Sequence, residues 1–197
     1  MKLNLGCSDR HIVGYVNVDL VPPCDQVADL AEKWPWADSS IESVAALDVI
    51  EHIGECQHQD TCCGQCCPGQ HFEHPCGKRR HFLGRIHFMN ELHRVLVPAG
   101  RAVIETPNAS KGSGYFQDPT HVSPWCLNSF QYFQSGSLAH NRFAKAYGIT
   151  AAFRLVDLKE AQYQDAFEVV WKITAILEAV KAPKYSNPPV SKEEVRA

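Results

Sequence analysis

The chain predicts an α/β fold: a mostly parallel, buried sheet, finished by an antiparallel strand pair and interrupted by a small Cys/His-rich insertion. Three observations predict it. Short apolar runs recur with helical or irregular material between them, the pattern of strands buried on both faces. One long segment carries apolar residues at helical spacing. Two further apolar segments near the end are joined by a polar turn alone, which only antiparallel strands allow.

The elements follow in order. "KLNLG" (2–6) is an apolar run closed by Gly6, and "YVNVDL" (15–20) alternates and ends in an acid. "SVAALDVI" (43–50) and "RAVIETP" (101–107) are the next two strands, the last stopped by Pro107. The helix is "RIHFMNELHRVLVPAG" (85–100), in which Ile86, Met89, Leu92, Val95 and Leu96 share a face and Pro98 and Gly100 supply the stop. A shorter helix is expected near 126–133, and "FRLVDLKE" (153–160) with "FEVVWKITAIL" (167–177) forms the antiparallel pair. Only eight residues, Cys7 to Gly14, separate the first two strands, fewer than the dozen or so of an ordinary parallel crossover. That predicts either a single-turn helix or a shorter first strand.

The 197 residues, 45% of them hydrophobic, suffice for one compact domain, expected over 1–180, with the insertion at 54–84 and a Pro-rich, charged tail at 181–197 that reads as disordered. A formal net charge of −3 excludes a uniformly basic nucleic-acid binder, so such a contact needs a local patch. No run is long enough to span a membrane. The N-terminus lacks the apolar core of a signal peptide, which makes a cytoplasmic location the default expectation.

A glycine ending the first strand admits a ligand close to the backbone, and an acid ending the second can accept from both hydroxyls of a ribose. Gly6 and Asp19 therefore predict a nucleoside-like ligand at the carboxyl ends of the strands. "LGCS" offers one glycine where a dinucleotide fingerprint has three. Taken together, "LNLGCSDRHIVGYVNVDL", "ADLAEKWPWADSSIESVAALDVIEHI", "FMNELHRVLVPAGRAVIETPN" and "FQDPTHVSPWCLNSF" resemble the class I S-adenosylmethionine-dependent methyltransferases, especially small bacterial and phage members. The resemblance runs from residue 3 to about 133. It implies a Rossmann-like sheet and S-adenosyl-L-methionine as cofactor. It places Leu5, Gly6 and Cys7 against the methionine part, Asp19 on the ribose, Asp29 and Leu30 at the adenine, and Leu47 and Asp48 along the cofactor's border. The chain departs from the pattern at Ser8, where a second glycine is common, and it has no helices before the first strand.

"DVIEHI" sets Asp48, Glu51 and His52 near the mouth of the sheet, and "QDPTHV" adds Asp118 and His121 after the fourth apolar run. Methyl transfer to oxygen requires that the acceptor hydroxyl lose its proton, either to a base such as His or with the help of a divalent cation. His121 and His52 are the candidate catalytic residues. The Asp-x-x-Glu-His spacing with a later His resembles the metal-binding set of small-RNA 3′-end 2′-O-methyltransferases, with Asp48 where those begin with Glu. For Glu51 the residues favour a plainer expectation, a cap on the next helix, with His52 packed under the cofactor.

Six of the nine cysteines, from Cys56 to Cys76, fall in the insertion. An odd total without an export signal favours metal over disulfides. The segment has no apolar periodicity and needs a staple to fold. Cys63, Cys66, His71 and Cys76 have the spacing of a zinc knuckle, a module that grips single-stranded nucleic acid, and three thiolates with one imidazole suit structural zinc. Gly64 and Gln70 depart from that pattern, and Cys56, His58, Cys62, Cys67, His74 and His81 are further possible ligands. "GKRRHFLGR" (77–85) adds a basic run that could track phosphates. The acceptor is thus open between nucleic acid, held partly by the insertion, and a small metabolite or sugar, with the insertion as a lid. A non-catalytic binding protein is the third alternative.

Overall fold

The computed structural model describes residues 1–54, 71–73, 79–81, 84–164 and 169–181. Strands β1 (Lys2–Leu5), β2 (Val16–Asp19), β3 (Gln26–Val27), β4 (Ile41–Leu47), β7 (Leu96–Pro107), β8 (Phe153–Gln164) and β9 (Val169–Ala179) form a seven-stranded sheet in the order β3-β2-β1-β4-β7-β9-β8. The first five are parallel, and β9 runs antiparallel to both of its neighbours. Between β4 and β7 lie a separate antiparallel pair, β5 (His71–Glu73) and β6 (Arg79–His81), and helix α1 (Gly84–Val95). After β7 come α2 (Gly114–Gln117), a 3₁₀ helix (Leu127–Tyr132) and α3 (Leu138–Tyr147). This is the mixed, mostly parallel Rossmann-like architecture that the sequence predicts, with its antiparallel C-terminal strands.

The strand register sorts side chains onto two faces. Leu3, Val16, Val44, Ala102 and Leu177 lie opposite one another on adjacent strands, as do Leu5, Val18, Ala46, Ile104 and Ala175. These rows pack against Ile86, Phe88, Met89, Leu92 and Val95 of α1 and against Phe130, Phe133 and Ala144, forming the core. Each Val, Leu, Ile, Met or Phe among them contributes about 1.5–3 kcal/mol on burial, and each Ala less. The opposite face is polar by comparison. Glu178 bridges Arg101 and Arg154 across three strands, at 2.7–3.1 Å.

The crossover from β1 to β2, residues 6–15, contains no helix at all. Two buried asparagines replace one. Asn4 Nδ2 donates to Asn17 Oδ1 (2.9 Å) and to the Arg10 carbonyl (2.8 Å), and Ile12 N donates to Asn17 Oδ1 (2.8 Å). An apolar helix face would need apolar side chains beneath it; here the sheet offers amides, and these hold loop backbone instead.

Three expectations are corrected in detail. The main helix ends at Val95, and β7 follows without a break. Residues 97–100 form an outward excursion of that strand, because Leu96 pairs with Ile41 but Arg101 with Ser43, and Ala99 takes φ 60°. The short helix near 126–133 is 3₁₀ rather than α. Helix α3 has no counterpart in the sequence reading. No helix among the described residues is long and apolar enough to cross a membrane.

Candidate functional site

The carboxyl ends of β1 and β4 and the loop after β1 enclose one cleft of about 130 Å³, lined by Asn4, Gly6, Cys7, Arg10, His11, Ile12 and Leu47. Gly6 takes φ 61°, and a Cβ there would sit 2.2 Å from Val49 Cγ2. Both the turn and its packing therefore require glycine. The next turn residue, Ser8, donates its backbone N–H to Asp19 Oδ2 (2.8 Å), while Leu20 N–H donates to Asp19 Oδ1 (2.7 Å). Val21 N–H also donates to Oδ1 (3.3 Å), so the carboxylate is fixed at the rim, and its roughly four lone-pair positions leave room beside these three bonds, chiefly on Oδ2. Cys7 is buried, and burial pushes its thiol above the ordinary range.

Asp48 begins the segment after β4 with φ 56°. Its Oδ2 pairs with Lys172 Nζ (2.7 Å) and Arg10 Nη1 (3.1 Å), and Lys172 also reaches Glu105 Oε1 (3.1 Å). Burial works against the Lys172 charge, but the two carboxylates outweigh it and raise its pKa. Arg10 and Lys172 escaped the sequence reading. Neither stands in a recognisable motif, and Lys172 is 124 residues from its partner Asp48.

The second part of the site lies where the segments after β4 and β7 converge. The backbone N–H groups of Val122 and Ser123 both donate to the Glu51 carbonyl at 2.9 Å, clamping the segments together. Thr106 Oγ1, on β7, donates to Glu51 Oε2 (2.8 Å), and Glu51 Oε1 is buried without a protein partner. Burial pushes the Glu51 carboxyl up to about 7. One Glu51 carboxylate oxygen and one ring nitrogen each of His52 and His121 lie within 4.8 Å of one another. The two rings stand edge to face with centroids 4.7 Å apart. His121 Nδ1 is 2.6 Å from the Tyr115 carbonyl, which can only accept, so Nδ1 carries a proton and, in the neutral ring, Nε2 has the lone pair. Burial lowers the His52 pKa.

The candidate residues are therefore largely gathered at one edge of the sheet. Gly6, Cys7 and Leu47 line the cleft, and Asp19 stands beside it. Asp29 and Leu30 follow β3 at the same edge, with Asp29 Oδ1 accepting from Ala31 N–H (2.9 Å). Leu5 and Leu30 are core side chains. Glu51 caps no helix: the described chain continues from it without one to residue 54, and its carboxylate faces Thr106 and the two histidines. Cys63, Cys66 and Cys76 lie outside the described residues, as do Cys56, His58, Cys62, Cys67 and His74; of the possible zinc ligands, His71 and His81 fall in described strands.

No protein-family profile matches the chain. No curated protein sequence matches it either. Solved structures do. A SAM-dependent methyltransferase from Methanosarcina mazei superposes with TM-score 0.51 at 11% identity, covering 92% of each chain. The YcgJ protein from Bacillus subtilis gives TM-score 0.53 at 10% identity, again over 92% of each chain. The Burkholderia thailandensis 1,6-didemethyltoxoflavin-N1-methyltransferase, solved with S-adenosylhomocysteine, gives TM-score 0.50 at 11% identity, over 91% of this chain and 71% of the other. At these identities the likeness establishes architecture, and the chain has the Rossmann-like fold that these proteins carry.

Proposed function

We propose that the chain is an S-adenosylmethionine-dependent methyltransferase. The observation that carries this reading is the Ser8–Asp19 hydrogen bond (2.8 Å), which ties the glycine turn of β1 to the acid of β2 around a single cleft. The shared fold supports it. Leu5, Gly6 and Cys7 supply the backbone floor, Asp19 accepts from ribose hydroxyls, and Asp29, Leu30, Leu47 and Asp48 border the rest. Bound S-adenosylmethionine would supply an activated methyl group on sulfur.

The residues then have to align an acceptor and remove its proton. His121 Nε2 has the free lone pair for that, with its ring held through Nδ1 by Tyr115. His52 stands beside it. With an acceptor hydroxyl aligned on that methyl group, a ring nitrogen of His121 or His52 would take up the proton that the hydroxyl gives up on methylation. The partnerless oxygen of buried Glu51 favours an addition to this reading. Glu51, His52 and His121 form a two-imidazole, one-carboxylate set of the type that holds a divalent cation with positions left open. Such a cation would make a nearby hydroxyl more acidic.

Within the insertion, Cys63, Cys66, His71 and Cys76 would hold a structural zinc, and single-stranded nucleic acid is the acceptor class that such a module suits. Calorimetry with S-adenosylhomocysteine tests the cofactor, and transfer of labelled methyl to short RNA and DNA strands or to small diols tests the acceptor. His121→Ala should abolish turnover and preserve cofactor binding. Absence of S-adenosylhomocysteine binding would end the reading.

A further inference from the structure

The site contains a hydrogen-bond chain that points outward from His52. His52 Nδ1 lies 3.0 Å from Thr120 Oγ1. Thr120 Oγ1 lies 2.5 Å from Asp118 Oδ1, which also accepts from Thr120 N–H (2.8 Å). A hydroxyl has one proton and an ionised carboxylate has none. The hydroxyl proton must therefore point at Asp118, and the hydroxyl oxygen can only accept from His52. Asp118 is held in its ionised form mainly by the Thr120 hydroxyl, which keeps its pKa below the usual range.

We propose that Asp118 and Thr120 are a positioning pair that fixes His52 as its Nδ1–H tautomer, so that the Nε2 lone pair is the one offered to the site. The inference rests on the reading of Glu51, His52 and His121 as the reactive cluster, and it deepens that reading. His121 reaches the same state by a different partner, the Tyr115 carbonyl. Both rings thus have Nδ1 committed to protein acceptors, so in each neutral ring Nε2 is the unprotonated nitrogen, that of His121 lying 3.9 Å from Asp118 Oδ2. Beside them, Glu51 Oε1 is buried without a protein partner. Two neutral imidazoles with a fixed tautomer can each give a lone pair to one cation or one proton; a ring free to exchange tautomers would spend part of its time presenting an N–H. Thr120 acts only through His52; Asp118 acts through the Thr120 hydroxyl, and its second oxygen stands 3.9 Å from His121 Nε2.

Nitrogen-15 spectra of histidine-labelled full-length protein, without added metal and above pH 7.5, read the tautomer directly. The wild-type His52 should show a protonated Nδ1. Thr120→Val removes the acceptor and should turn His52 to the Nε2–H form that free histidine prefers. Asp118→Ala frees the hydroxyl rotor and should give a mixture of both. Thr120→Ser should restore the wild-type pattern. Both substituted residues are exposed, and in Thr120→Val, which keeps Asp118 beside His121, an unchanged His121 signal shows that the site is folded. In the same samples, Thr120→Val should weaken Mn²⁺ binding by roughly tenfold to a hundredfold, the usual effect of removing a partner behind a ligating histidine, and Thr120→Ser should recover it. A wild-type His52 already in the Nε2–H form, or one that ignores Thr120→Val, overturns the proposal. A tautomer that responds in a chain that binds no Mn²⁺ upholds the pair and removes the cation reading instead.

Discussion

Thr106 Oγ1 donates to one oxygen of Glu51 and leaves the other buried with no partner. A carboxyl completely removed from solvent, with one hydrogen bond, favours its neutral form; hence the rise to about 7 from 4.5. The sign of the consequence is fixed. Between pH 4.5 and about 7 the folded chain holds a proton that the unfolded chain has released, so stability falls as pH rises through that window. The cost at neutral pH is on the order of 3 kcal/mol.

Glu51→Gln keeps the shape and removes the ionisation. It should raise the melting temperature at pH 8 and change it little at pH 4.5, while weakening Mn²⁺ binding and turnover. Thermal unfolding at both pH values decides this. Equal effects at the two would mean that Glu51 is not the titrating group. A residue whose replacement stabilises the fold and harms the site is there for the site.

Asp19→Ala should weaken S-adenosylhomocysteine binding by about 1.5–3 kcal/mol, roughly tenfold to a hundredfold or slightly more, as charge-assisted hydrogen bonds are lost. It should also loosen the turn at Ser8, whose N–H it holds. Calorimetry measures the first effect and amide exchange at Ser8 the second. Unchanged affinity would remove Asp19 from the ribose.

Gly6→Ala places a methyl group 2.2 Å from Val49 Cγ2 on a left-handed backbone. Backbone strain of about 1–2 kcal/mol and overpacking of about 1–3 kcal/mol should add up. In a double-mutant cycle, Val49→Ala should relieve the second part and leave the first. Denaturant titration of the four proteins reads the coupling, and strict additivity would place the damage elsewhere.

Zinc in the insertion is expected at one or more ions per chain. Its removal should expose Arg79 and Arg80 to trypsin while the melting of the sheet, which has its own core, stays within a few degrees. Elemental analysis settles the stoichiometry, and Cys63→Ser and Cys66→Ser against Cys62→Ser and Cys67→Ser settle the register. Zinc retained in the first pair and lost in the second would leave the metal and discard the knuckle.

Six of the nine described strands were legible because each is an apolar run, some with a marked end such as Gly6 or Pro107; two-residue β3 and the polar β5–β6 pair carry no such signal and were not read. The helix-free crossover was half legible: the residue count ruled out a normal helix, but only the structure shows Asn4 and Asn17 holding the loop. Helix α3 was missed because its apolar face is thin, with Ala144 buried and Leu138 exposed. Its signals are at the ends, where Ser137 accepts from His140 N–H and Gly148 turns left-handed at φ 68°. His52 and His121 were found from their places at strand ends. Glu51 was misjudged, because Thr106 is 55 residues from it and no local pattern announces such a contact. Thr120 went unnoticed for a similar reason, since its partner His52 is 68 residues away.

The missing helix between β1 and β2 changes how the cleft answers to dissolved ions. A helix at that position would aim roughly half a unit of positive charge at a bound anion from within the protein, where salt scarcely reaches it. The cleft is instead lined by the Arg10 guanidinium, which pairs with Asp48 at 3.1 Å and whose side chain is 55% exposed. Its field extends about 30 Å at 0.01 M ionic strength and about 8 Å at 0.15 M. Occupancy by any ligand with a carboxylate should therefore decline as electrolyte is added, leaving the cleft tuned to the medium around it as well as to the ligand.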